Sequence, residues 1–175
     1  MKSSIVLSNG VRGRPSSFVE WEELMNDLKR ILLVEDDPKD VELTIEALEE
    51  SNLANEVEIV RDGAEALDFL FSRGKFENRP NGNPVVVLLD LKLPKVDGLE
   101  VLKQIRNDER LKMIPVVIVT SSKEEEDLME GYRLGTNAYV QKPIDFHQFV
   151  EAIKQLGVFW AVLNEPPPGS VRKKK

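Results

Sequence analysis

The sequence predicts a doubly wound α/β domain, with five parallel strands in the order 2-1-3-4-5 and helices on both faces of the sheet. Three observations predict it. Short apolar runs alternate five times with segments of helical spacing. Four of those helical segments open on an aspartate placed as an N-cap. The third and fourth apolar runs, residues 84–90 and 115–120, are nearly unbroken, as strands buried on both faces must be. At 175 residues the chain is one ordinary domain with room for short tails, and its 41% hydrophobic content suffices for a sizeable core.

The first strand lies within residues 30–35, around Ile31-Leu32-Leu33-Val34. Asp37 as N-cap and Pro38 at the first helical position start a helix, which Val41, Ile45 and Leu48 continue at helical spacing. Residues 57–60 (VEIV) form a short second strand. Asp62 and Glu65 then cap a helix carrying Ala66, Leu67, Phe69 and Leu70. Residues 74–84 read as a loop, and the third strand ends in Asp90. Asp97 and Glu100 open a helix with Leu99, Leu102 and Ile105 inward. After the fourth strand, Ser122 and Glu125 have the spacing of a capping box for a helix running to about Leu134. Residues 138–140 form the fifth strand, and Asp145 with Gln148 opens a final helix that continues past Trp160.

Three regions follow. Residues 1–24 are an N-terminal extension, disordered or a short helix: Ser17 to Glu20 has capping-box form, and Phe18, Trp21, Leu24 and Leu28 fall at helical spacing. Residues 25–164 are the domain. Residues 165–175 are a disordered tail that begins with a proline-rich stretch and ends in the basic run Arg172-Lys173-Lys174-Lys175.

Composition excludes several classes of function. The formal net charge of -7 disfavours a nucleic-acid binder, which needs a basic face for the phosphate backbone. With no cysteine there is no disulfide, thiol catalysis or cysteine zinc site. The single histidine, His147, cannot build a multi-histidine metal site, and it falls in the exposed first turn of the last helix. No apolar run approaches the roughly 18 residues of a membrane span, and the N-terminus does not read as a secretory signal, so a cytoplasmic protein is expected.

In this topology ligands bind beyond the carboxyl ends of strands 1 and 3. Strand 1 ends in Glu35-Asp36-Asp37, strand 3 in Asp90, strand 4 in Thr120-Ser121, and strand 5 is followed by Lys142-Pro143. Glu35, Asp36 and Asp90 held close together would repel one another and raise each other's pKa values. A divalent cation removes that penalty. Mg²⁺ suits a site with a few carboxylates and a phosphate. Lys142 supplies a point charge for a phosphoryl oxygen and Thr120 a hydroxyl. Taken singly, each of these residues has a plainer reading as a cap, a turn acid or a surface charge. Converging on one crevice, they make a phosphoryl-transfer constellation whose nucleophile is a carboxylate.

Val34-Glu35-Asp36-Asp37-Pro38, Leu89-Asp90-Leu91-Lys92-Leu93-Pro94 with Gly98, Val119-Thr120-Ser121, and Tyr139 with Lys142-Pro143 resemble the receiver domain of bacterial response regulators over residues 29–163. The resemblance implies a flavodoxin-like single domain that switches signalling and catalyses only its own phosphorylation and dephosphorylation. It implies Asp90 as phosphoacceptor, Asp36 as a direct Mg²⁺ ligand, Glu35 acting through water, and the Lys92 carbonyl completing the metal shell. Thr120 and Lys142 would contact the phosphoryl group, Thr120 and Tyr139 would act as the switch, and Pro143 would follow a cis peptide bond. Glu35 departs from the aspartate many relatives carry there, which should alter metal affinity without abolishing the chemistry.

The Leu-Pro-Lys-x-Asp-Gly stretch, the loop 74–84 and Phe159-Trp160 resemble the small regulators paired with bacterial phytochromes and related histidine kinases. A histidine kinase is thus the implied phosphodonor. No output domain follows the last helix, so the signal is expected to pass through protein contacts. The last helix carries Phe146, Phe149, Val150, Ile153, Leu156 and Trp160 toward the sheet, and Ala152, Phe159 and Leu163 on a second stripe. A helix this apolar suggests a homodimer through helix 4, strand 5 and helix 5. Two rival readings are a receiver-like adaptor that is not phosphorylated and a haloacid-dehalogenase-type phosphatase. The first would lack an acid, the threonine or the lysine. The second needs its nucleophile at the end of strand 1. A flavin carrier is disfavoured by acids where a phosphate would have to sit.

Overall fold

The computed structural model describes residues 30–53, 57–79, 82–142 and 145–170. They form a five-stranded parallel sheet in the predicted order, β2-β1-β3-β4-β5, with β1 Ile31–Val34, β2 Val57–Val60, β3 Val86–Leu89, β4 Val116–Thr120 and β5 Ala138–Gln141. Five α-helices connect and follow the strands: α1 Pro38–Glu49, α2 Gly63–Phe71, α3 Gly98–Asn107, α4 Glu125–Arg133 and α5 Phe146–Val158. A π-helical turn, Phe159–Leu163, prolongs α5 past Trp160 as expected.

The unbroken apolar runs have the predicted cause. On β1, Leu32 and Val34 face one layer with Phe69, Leu102 and Ile105 from α2 and α3. Ile31 and Leu33 face the other layer with Val41, Leu48, Phe149 and Ile153 from α1 and α5. Alternate residues of one strand thus belong to two separate cores, and neither face of the central strands is left for water. Each strand end must then pass straight into a capped helix or a turn. Asp37 caps α1 by accepting from the Lys39 and Asp40 amides, Asp62 caps α2 through Glu65, Asp97 caps α3 through Glu100, and Asp145 caps α5 through Gln148.

Three local expectations change. The N-cap of α4 is Glu124 and makes no side-chain cap bond. Ser122 instead donates its hydroxyl to Asp127 (2.5 Å), so the capping-box spacing is diverted into a side-chain pair. Within the predicted loop 74–84, Gly74–Phe76 winds into a 3₁₀ turn that buries Phe76 edge-on against Phe69. At the far end, the Gly169 carbonyl accepts from the Asn83 amide (2.8 Å) and Ser170 is buried, so the chain returns to the domain after its prolines instead of leaving it at residue 165. The helix considered around Ser17–Leu28, the side chain of Phe146 and the basic run 172–175 lie outside the described residues. Among the described residues, no helix is long and apolar enough to cross a membrane.

Candidate functional site

Strand register builds the site. β1 and β3 pair Val34 with Leu89, so the next residues, Glu35 and Asp90, emerge side by side. The Asp90 amide donates to the Val34 carbonyl (3.0 Å) and fixes that level. On the other side, Thr120 pairs with Gln141, and the Lys142 amide donates to the Thr120 carbonyl (2.7 Å). Residues from four strand ends therefore reach one crevice without any long loop to place them.

The Lys142 side chain, only 9% exposed, crosses from β5 to β1 and β3. Its ammonium donates to Glu35 Oε2 (2.6 Å), Asp40 Oδ2 (2.7 Å) and Asp90 Oδ2 (3.3 Å). The second oxygens of the two buried acids are held by backbone: Glu35 Oε1 accepts from the Asp37 amide (3.1 Å), and Asp90 Oδ1 from the Leu91 (2.7 Å) and Lys92 (3.4 Å) amides. Burial pushes the Glu35 carboxyl up to about 7, and the Asp90 charge adds to this against the pull of Lys142. Burial alone would lower the Lys142 ammonium, but its bonds to Asp40 and Glu35 and the Asp90 charge hold it well above the ordinary lysine range.

Glu35, Asp36 and Asp90 each offer a carboxylate oxygen, and these lie within 4.8 Å of one another, with Asp36 on the exposed side. An all-oxygen set with one solvent-facing member fits a hard divalent cation that keeps part of its water shell.

Beside this trio, Thr120 is fully buried and its hydroxyl oxygen accepts from the Ser122 amide (3.2 Å). Ser122 leads to Asp127, and Asp127 pairs with the Lys92 ammonium (3.3 Å), which closes a bridge from the β4–α4 loop to the β3–α3 loop. Tyr139 stacks on Tyr132 (centroids 6.5 Å apart), and its hydroxyl is buried with no hydrogen-bond partner. Burial, then the charges of Asp127 and Asp90, raise its pKa. Gly98 packs directly under Asp90, where a Cβ would stand 2.2 Å from the Asp90 carbonyl oxygen.

Of the residues singled out from sequence, the structure brings Glu35, Asp36, Asp90 and Lys142 together, while Thr120 ends the neighbouring strand and meets Lys142 through the backbone. His147 is exposed on α5, apart from them. Pro143 lies outside the described residues, and with it the expected cis bond. Asp40, Ser122 and Asp127 are site residues that the sequence reading missed. Asp40 is an acid in the first turn of α1, and only its bond from Lys142 marks it as part of the site.

Residues 31–154 match the family model of the response regulator receiver domain. Response regulator Rcp1 of Synechocystis sp. is 42% identical over 135 residues, which cover 77% of this chain and 90% of that protein. The crystal structure of its Mn²⁺-bound form superposes with a TM-score of 0.74, at 40% identity, over 79% of this chain and 99% of that one. The phosphorylated cyanobacterial phytochrome response regulator RcpA gives a TM-score of 0.75 at 41% identity, over 80% and 99% of the two chains. The bacteriophytochrome response regulator RtBRR is 65% identical with a TM-score of 0.65, over 82% of this chain and 86% of that chain.

Proposed function

The chain belongs to the response regulator receiver family, and from that premise we propose that Asp90 is its phosphoacceptor, loaded by a histidine kinase with Mg²⁺ bound at Glu35, Asp36 and Asp90. The single observation that carries this is the placement of three carboxylates within 4.8 Å of one another, with the Lys142 ammonium 3.3 Å from Asp90.

In the transfer, an Asp90 oxygen attacks phosphorus as the phosphorus–nitrogen bond of a phosphohistidine breaks, and that bond's electron pair returns to the imidazole. Glu35, Asp36, Asp90 and the Lys92 carbonyl would hold the cation, which would supply positive charge for the phosphoryl oxygens. Lys142 holds one phosphoryl oxygen. Thr120 exchanges its bond from the Ser122 amide for a contact to another, and that movement is passed to Tyr139 and the α4–β5–α5 face. Attack by water later releases inorganic phosphate and restores the carboxylate.

The likeness to proteins named as phytochrome response regulators supports a phytochrome-type histidine kinase as donor. A non-phosphorylated adaptor is disfavoured because no acid, threonine or lysine of the set is missing. A haloacid-dehalogenase-type phosphatase is disfavoured because Glu35 at the end of β1 is already committed to Lys142 and to the Asp37 amide.

Protein mixed with Mg²⁺ and acetyl phosphate should gain the mass of one phosphoryl group, and Asp90→Asn should gain none. Equal labelling of the variant would remove Asp90 from the role. We also propose a homodimer through α4, β5 and α5, supported by exposed Met129 and Tyr132 on α4 and Phe159 and Leu163 after α5. Light scattering that gives a monomer mass in both phosphorylation states would dismiss it.

A further inference from the structure

Lys142 presents three N–H donors, and all three point at carboxylates. The two short bonds go to Glu35 (2.6 Å) and Asp40 (2.7 Å), and the longest goes to Asp90 (3.3 Å). A lysine so committed cannot take a phosphoryl oxygen without releasing a partner. Which partner it releases is decided by burial. The Glu35 and Asp90 side chains are only 4% and 7% exposed, so water cannot replace a bond lost at either of them. The Asp40 side chain is 31% exposed, so its lost bond is replaced by water at small cost.

Asp40 is also not a loose surface acid. Its amide donates to the Asp37 side chain (3.3 Å) and its carbonyl accepts from the Thr44 hydroxyl (2.7 Å), so the first turn of α1 holds it against Lys142. It lies outside the carboxylate trio suited to the cation.

We propose that Asp40 is a positioning residue that holds Lys142 in a resting pose and competes with the phosphoryl group for it, and so restrains the loading of Asp90. This rests on the reading of Asp90 as phosphoacceptor. In the unloaded state Asp40 satisfies Lys142. During transfer Lys142 exchanges Asp40 for a phosphoryl oxygen, and Asp40 turns to solvent. The cost of that exchange is part of the barrier, and an amide in place of the carboxylate lowers it because a neutral acceptor holds an ammonium less strongly.

The test is the initial rate of labelling by acetyl phosphate at subsaturating donor and saturating Mg²⁺. Asp40→Asn should load about three- to tenfold faster than wild type, the range that loss of one partly exposed charge-assisted bond permits. Asp40→Ser should behave alike and stands in if the amide variant does not fold. Glu42→Gln removes the same charge from an exposed site on α1 and should leave the rate within about 1.5-fold, which separates competition for Lys142 from general repulsion of the anionic donor. In a Lys142→Met background, Asp40→Asn should add nothing, a dependence that a merely structural role of Asp40 would not show. A folded Asp40→Asn protein that loads at the wild-type rate or slower overturns the proposal, as does a gain that persists without Lys142. Failure of the wild-type protein to label at all would instead overturn the reading of Asp90.

Discussion

Gly98→Ala separates two opposing effects at one position. Alanine is the better helix former by about 0.5–1 kcal/mol in a helix interior. Gly98 opens α3, where less of that gain applies. Against it stands a collision. The new Cβ would lie 2.2 Å from the Asp90 carbonyl oxygen and 2.7 Å from the Leu91 Cα. Both obstacles are backbone, so no rotamer change relieves them, and the first is more than an ångström inside the roughly 3.4 Å of ordinary contact. The Gly98 amide also donates to the Leu91 carbonyl (2.9 Å), so parting helix from strand end strains that bond as well. Overpacking of this kind costs about 1–3 kcal/mol, and the collision wins. The expected result is a net loss of about 1–2 kcal/mol, read as a lower urea midpoint at unchanged slope. Displacement of the Asp90 backbone should also slow acetyl phosphate labelling by about tenfold or more, because the loss of a placed nucleophile falls directly on the rate. A variant as stable as wild type, or one that labels at the wild-type rate, would refute the steric reasoning.

Tyr139→Phe removes a buried hydroxyl that has no partner; thermal unfolding should show the variant equal to wild type or more stable by about 1 kcal/mol, and a clear loss would mean that the hydroxyl has a partner in solution. Mg²⁺ at a hundred times its dissociation constant should add about 2.7 kcal/mol of stability, a melting shift of several degrees. Asp36→Asn, on the exposed side of the trio, should fold normally and lose most of that shift. An undiminished shift in the variant would place the cation elsewhere.

The parts legible in the sequence were those where one residue type has one reason to be present. β3 and β4 are buried on both faces, so their runs admit no polar residue until the strand ends, and the first acid or hydroxyl beyond marks the crevice. Asp37-Pro38 fixes where α1 starts, and with it the level of Glu35. Residues with two uses were not legible. Asp40 passes for an ordinary first-turn acid, and only the reach of Lys142 across the sheet makes it part of the site. Ser122 has capping spacing, but its hydroxyl is taken by Asp127, a choice set by how α4 packs. Arg106 is the clearest case. It looks like a surface charge at the end of α3, yet its guanidinium donates to the carbonyls of Lys112, Ile114 and Gly135 and to Asn137 Oδ1, fastening α3 to the loops that lead into β4 and β5 by contacts that exist only once those two loops have met. Local pattern carries no record of such a meeting.

The charge balance of the site bears on how it would respond to a ligand. Glu35, Asp40 and Asp90 share the Lys142 ammonium with Asp36 beside them, and the Glu35 carboxyl is pushed up to about 7 by its burial, with the Asp90 charge adding to it. The fold tolerates this because register, not ion pairing, places the groups: Val34 opposite Leu89 and Thr120 opposite Gln141 would bring the same positions together with neutral side chains there. Stability is thus drawn from the two apolar layers, and the crevice is left electrostatically unsatisfied. An unsatisfied site gains most from whatever brings positive charge or redistributes Lys142, and a ligand can shift a conformational equilibrium only by the difference in its interaction with the two states. A receiver with a neutral crevice would be more stable and would have less difference to exploit.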